Sequence, residues 1–180
     1  MPFTVDEVRN LHLKFPSEAQ DEVISGLILE ARIACENEIG RSLLPQTWEM
    51  AFPCFGNRLW LRRLPVVEIV SVKYIDQAGV EQTLAAENYH LDDSSDTVCR
   101  LALTPMQSWP TTYPSDTSVK IRYLTGYADA GAIPGPLKRW MLAQIAHWFK
   151  NREAVNVGNI VSKVEGYDFL LDPYRTEIGL

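Results

Sequence analysis

Val66-Val67-Glu68-Ile69-Val70-Ser71-Val72-Lys73-Tyr74-Ile75 is the stretch on which the fold turns. Val66, Val67, Ile69, Val70, Val72, Tyr74 and Ile75 are β-branched or aromatic. Such side chains lose rotamer freedom in a helix and pack well on a pleated surface, so the stretch reads as a strand. Asp76-Gln77-Ala78-Gly79 follows as a turn, and Val80–Leu84 reads as the returning strand. Working outward, Thr47–Phe52, Arg58–Leu61, Thr83–Leu91, Val98–Leu103 and Ser118–Leu124 also read as strands. Asp92-Asp93-Ser94-Ser95-Asp96 is a loop, and residues 104–117, with Pro105, Pro110 and Pro114, form a long irregular segment pinned by Trp109.

On either side the apolar period changes from two to three or four. Thr4 and Glu7 form a capping box for a short helix with Val5, Val8, Leu11 and Leu13 turned inward. Pro16 ends it, and Ser17 is placed to cap a second helix. That helix carries Val23, Ile24, Leu27, Ile28, Ala31, Cys35 and Ile39 as one stripe and ends at Gly40. It should run about six turns, roughly 33 Å at 1.5 Å per residue. After the sheet, Pro136 opens a third helix bearing Leu137, Trp140, Met141, Ile145, Trp148 and Phe149. A short helical turn is expected around Tyr167–Leu171.

The fold class is therefore α+β: a small α-helical bundle, built from the N-terminal helices and the C-terminal helix, with an inserted antiparallel β-sheet region. Residues 1–45 supply the helical part of a core domain, 46–126 the inserted β region, and 127–180 the C-terminal helix and an extended tail that complete the helical domain. Each end is too short to bury its apolar stripe alone, so the two should pack on each other.

Composition narrows the function. The chain has 180 residues, 46% of them hydrophobic, and a net charge of −6. An acidic balance argues against a general nucleic-acid binder, whose affinity comes from neutralising phosphates. The charge is −4 over residues 1–47, −2 over 48–125 and 0 over 126–180, so no zone is basic. Arg58, Arg62 and Arg63 form a local basic cluster around Leu59, Trp60 and Leu61, read as the solvent face of a strand or a contact with a protein partner. Cys35, Cys54 and Cys99 lack metal-ligand spacing and read as reduced thiols in a reducing cytosol. The N-terminus lacks a signal-peptide pattern, and no apolar run approaches the roughly 18 residues of a membrane span.

Catalytic signals are absent. His12, His90 and His147 fall in three different zones, without a nucleophile motif. Asp92, Asp93 and Asp96 lack the alternating ligands and central glycine of a calcium loop. Gly126–Gly131 carries neither a G-x-G-x-x-G pattern nor a phosphate-loop lysine. No enzyme activity, metal or cofactor is expected. Trp48, Trp60 and Trp109 in the β region leave one rival open, a carbohydrate- or small-ligand-binding module that uses them as an aromatic face.

The pattern as a whole is familiar. A Thr4–Leu11 helix precedes a long helix ending Glu38-Ile39-Gly40-Arg41-Ser42-Leu43-Leu44, then Gln46-Thr47-Trp48-Glu49, Leu64-Pro65-Val66-Val67 and Val70–Asp76. Gly79–Leu84, Tyr89, Trp109-Pro110, Val119–Tyr127 and Ile133-Pro134 follow, then Ala146–Val155 and Leu170–Arg175. In this order and spacing the chain resembles the head–tail connector (adaptor) proteins of tailed bacteriophages and prophages, in the longer variety with a β insertion. The resemblance implies a structural virion component made in the host cytoplasm and placed at the virion neck. Such proteins form a homo-oligomeric ring below the portal, about twelve copies closed by a repeated head-to-tail contact. The ring extends the DNA channel and docks the next head-closure or tail protein, and DNA passes without sequence-specific binding. An acidic channel wall would repel phosphates over a range of about 8 Å, and residues 1–47 are the acidic zone. Trp148, Arg152, Tyr174 and Arg175 match recurring family positions and are the interface candidates, with packing and local ion pairing as their plainer roles. The tail from about Val155 to Leu180 is expected to be mobile in the isolated subunit and to order on the portal, so that deletion after Gly166 weakens portal binding more than folding.

Overall fold

Thr4 and Glu7 open the chain with the reciprocal exchange their spacing promises. The Thr4 amide donates to Glu7 Oε2 at 2.8 Å and the Glu7 amide to Thr4 Oγ1 at 3.2 Å. The computed structural model describes residues 1–14, 17–56, 59–151 and 166–176. It has an α+β fold and divides into two compact units, Met1–Leu44 with Tyr127–Arg175, and Pro45–Gly126.

The helical unit starts with a π-helical segment, Glu7–Leu13. Its i→i+5 hydrogen bonds change which residues share a face. Val8 is fully buried and Leu13 packs on the core, whereas Leu11, expected inward, is 77% exposed. Ser17 caps a 3₁₀ turn, Glu18–Gln20, by accepting from the Ala19 amide at 3.3 Å. Helix α1 (Asp21–Ile39) continues from it and ends at Gly40, whose φ of 70° is the left-handed conformation that glycine adopts most readily. Its 19 residues give about 28 Å of α-helix, because the first turn is 3₁₀.

Ile24, Ile28, Ala31, Cys35 and Ile39 form the buried row of α1, while Val23, read as part of that stripe, is 45% exposed. Helix α2 (Gly135–Lys150) turns Leu137, Trp140, Met141 and Ile145 onto the same core. Each fully buried aliphatic side chain here contributes about 1.5–3 kcal/mol. The chain after Gly40 is held down by Glu36, whose Oε1 accepts from the Leu43 amide at 2.8 Å. Arg9 ties the first segment to the start of α1, pairing with both Asp21 oxygens at 2.8 and 2.7 Å and with Asp6.

The β unit contains two sheets. Strands β1 (Gln46–Phe52), β7 (Val119–Thr125), β3 (Val66–Ile75) and β4 (Glu81–Thr83) form one, in the order β1-β7-β3-β4. Strands β2 (Trp60–Leu61), β6 (Cys99–Leu103) and β5 (Tyr89–Asp92) form the other, in the order β2-β6-β5. All pairings are antiparallel. Val119, Ile121, Tyr123 and Thr125 of β7 alternate inward, and Tyr123 donates its hydroxyl to the Arg62 carbonyl at 3.1 Å.

Two readings of the β region change. Strand β3 has the expected bounds, but its register on β7 shifts between Val66 and Glu68 and again between Ile69 and Ser71. Val67 and Val70 sit at these irregularities and are 56% and 51% exposed, which breaks the simple alternation. The expected strand Thr83–Leu91 is instead two strands in different sheets, separated by a 3₁₀ turn at Ala86–Asn88. Ala86, Glu87 and Asn88 are poor strand formers, and the Asn88 amide closes the turn on the Ala85 carbonyl at 3.1 Å.

Candidate functional site

The sequence-derived interface residues divide by position. Trp148 lies on α2, half-buried against the helical core. Tyr174 and Arg175 lie on the segment 166–176, and Arg152 falls outside the described residues. That segment makes two 3₁₀ turns, Asp168–Leu170 and Asp172–Tyr174, rather than one. Between them Leu171 is fully buried in the helical core. Trp140 Nε1 donates to Asp168 Oδ1 at 3.1 Å, Arg41 Nε donates to the Tyr174 carbonyl, and Arg175 Nη2 bonds Glu38 Oε1 at 2.8 Å. Arg175 Nε also reaches Asp172 Oδ1 at 3.3 Å.

This corrects the expectation of a mobile tail for residues 166–176. Leu171 completes a core that α1 and α2 leave open, so cutting after Gly166 removes a core side chain and costs folding directly. The plainer roles, packing and ion pairing, are visible for Tyr174 and Arg175. The same segment exposes Phe169 at 65%. Sequence reading missed it because Tyr167, Phe169, Leu170 and Leu171 are all apolar, and the irregular 3₁₀ geometry decides which one turns inward.

A groove of ≈ 610 Å³ runs along the outer face of α2. Leu142, Ala143 and Ala146 line it, with Tyr167 beside them and Lys138, Arg139 and His12 also at its wall. Its lining is apolar and small along the helix and basic in its charged members. His12 Nε2 lies 2.8 Å from the Leu142 carbonyl, which fixes the ring at the groove edge. Glu7 lies within electrostatic reach of Lys138.

His147 Nδ1 lies 3.2 Å from Asn151 Nδ2 one turn further along α2, and His90 sits exposed on β5. Asp92 accepts from Arg100 Nε at 2.7 Å and from Ser94 Oγ at 2.8 Å, and these bonds hold its carboxyl below the usual aspartate range. Burial pushes the Cys35 thiol up to about 12 and the Cys99 thiol up to about 11, while Cys54 is exposed. Among the described residues no three of His, Cys, Asp and Glu come together to hold a metal ion, and no helix is long and apolar enough to cross a membrane.

Trp48, Trp60 and Trp109 each meet a different partner. Arg63 lies over Trp48 at 5.0 Å, Arg100 lies over Trp60 at 5.5 Å, and Phe55 stacks on Trp109 at 4.7 Å between ring centroids. A depression of ≈ 270 Å³ beside Trp109 is lined by Arg100, Leu101, Ala102 and Leu103, and by neither Trp48 nor Trp60.

No protein-family description and no curated relative matches the chain. Solved structures do. A chain in the neck of an empty gene transfer agent particle, computed with C6 symmetry, superposes with a TM-score of 0.77 at 21% identity, covering 99% of this chain and 92% of that one. A chain in the virion of the native gene transfer agent particle gives the same values. A chain in the neck of the native particle, computed with C12 symmetry, superposes with a TM-score of 0.71 at 18% identity, covering 98% of this chain and 92% of that one. The α+β fold described above is thus shared along almost its whole length with chains of gene transfer agent particles.

Proposed function

We propose that this protein is a structural subunit of a phage-like head–tail junction, a connector that forms a ring below the portal. The observation that carries this reading is the fold likeness, over 99% of the chain, to a chain in a particle neck computed with C6 symmetry. The acidic zone 1–47 is consistent with a channel wall that repels phosphates. In that role the subunits extend the DNA channel and offer the next head-closure or tail protein a docking surface.

Within it, the segment 166–176 is the proposed contact toward the portal. Arg175 keeps a side chain 42% exposed despite its ion pairs, and Phe169 is 65% exposed on the same segment. Aromatic residues and arginine are the types that protein interfaces enrich. Tyr174, Trp148 and Arg152 are assigned to the same contact, the first two by bracing the segment and α2.

The test is assembly on the portal. The purified chain is mixed with a candidate portal protein from the same source and observed by negative-stain microscopy and sedimentation. A ring of about a dozen subunits closed by one repeated contact supports the reading. A chain that neither binds the portal nor forms a ring, and whose loss leaves heads joined to tails, overturns it.

A further inference from the structure

Val23, Gly26, Leu29 and Ile33 lie three or four residues apart on α1 and so share one side of the helix. At 100° per residue that side is opposite the buried row Ile24, Ile28, Ala31, Cys35 and Ile39. Val23, Leu29 and Ile33 are 45%, 43% and 44% exposed. A helix that has one apolar face in its core normally carries polar residues on the other. Gly26 sharpens the anomaly. Among the described residues, nothing beyond its neighbours and the helix's own backbone lies within 4 Å of where its Cβ would be, and glycine weakens a helix interior relative to alanine. No contact among the described residues calls for it, whereas close approach by another backbone would. Glu22 and Glu30, both exposed, fall on the same side of the helix, between these apolar positions.

The groove on α2 has the complementary character: small and apolar along Leu142, Ala143 and Ala146, basic at Lys138 and Arg139. We propose that the outer face of α1 in one copy seats in the α2 groove of the next copy, with Glu22 and Glu30 directed to Lys138 and Arg139. This rests on the ring reading above and names the two surfaces that make the ring. A closed ring requires two different patches on each subunit, and both patches here belong to the helical unit. Pairing of two α1 faces is disfavoured, because it would set two acidic strips against each other. Gly26 on one side and Ala143 and Ala146 on the other permit the short interaxial distances of packed helices.

Disulfide trapping tests the contact. In a Cys54→Ser background, Ile33→Cys and Ala143→Cys are introduced singly and together, oxidised in concentrated solution, and run on a non-reducing gel. The double variant is expected to give a ladder beyond dimers, with the singles stopping at dimers. If Ile33→Cys alone dimerises as completely as the double variant, α1 faces meet each other and the proposal is overturned. Wild-type rings in negative stain without a ladder overturn this contact and leave the ring reading standing. A ladder that grows only into open filaments supports the contact and overturns the ring. Neither ladder nor rings overturns this contact, and the ring reading is then decided by the portal experiment above. Independently, Ile33→Asp should keep the circular dichroism of the subunit and weaken self-association at least tenfold, and unchanged association counts against the contact.

Discussion

Arg175 Nη2 lies 2.8 Å from Glu38 Oε1, which joins the last described segment to the final turn of α1 across 137 residues of sequence. The pair marks where the segment lands, but it does not supply most of the holding energy. Both side chains are partly exposed, at 42% and 30%, and such pairs contribute about 0.2–1 kcal/mol. The buried Leu171 between the two 3₁₀ turns contributes more.

Leu171→Ala should therefore destabilise the helical unit by about 2–5 kcal/mol, and Arg175→Ala by less than about 1 kcal/mol. Urea unfolding of the two variants makes the comparison. Equal losses would mean that the segment is held by its charges rather than by its core side chain.

Gly26→Ala should stabilise the isolated subunit by about 0.5–1 kcal/mol, because the site is helical and open. A thermal melt at a concentration where the chain is monomeric reads it as a rise in the transition temperature. An unchanged or lowered transition would show that the glycine serves the fold of the single chain.

The turn between β3 and β4 gives the β unit a pH signature. Asp76 accepts from the Val80 amide at 3.0 Å, the Ala78 amide at 2.9 Å and Gln82 Nε2 at 2.9 Å. These bonds, that to Val80 foremost, hold its carboxyl below the usual aspartate range. Hydrogen bonding to Lys73 does the same for Glu81, as that to Arg100 does for Asp92. A carboxyl lowered in the folded state stabilises above its unfolded pKa of about 4 and loses that contribution as pH falls through the folded value. Asp76→Asn should therefore be less stable than wild type at neutral pH, with the gap closing below about pH 4. Denaturant midpoints measured across that range follow it, and a gap independent of pH would refute the charge-based account.

Cys54 should be the fast-reacting thiol of the native subunit, because Cys35 and Cys99 are buried and their thiolates disfavoured. A colorimetric thiol reagent should titrate one cysteine without denaturant and all three in strong denaturant. Rapid native labelling of Cys35 would place its helix outside a stable core.

Much of the fold was legible because local signals agreed with one another. Val66–Ile75 is a strand with the bounds its branched residues dictate, and Thr4 and Glu7 form the capping box their spacing implies. The misreadings occur where backbone geometry departs from the regular periods. The π-helical register exposes Leu11, the 3₁₀ turn at Ala86–Asn88 divides one apparent strand between two sheets, and the irregularities at Val67 and Val70 expose two valines. Of the interface candidates, Tyr174 and Arg175 proved to share one clamped segment, whereas the exposed Phe169 beside them carried no periodic signal.

The sequence by itself determined the α+β class, the order helix, sheet, helix, and the acidic balance, because propensity, spacing and charge are properties of neighbouring residues. The tertiary structure alone decided that Leu171 is core, that Val23, Leu29 and Ile33 of α1 stay uncovered, and that α2 carries a basic-walled groove. These depend on which atoms of distant segments meet: a side chain's burial is set by what packs over it, and no local period records that.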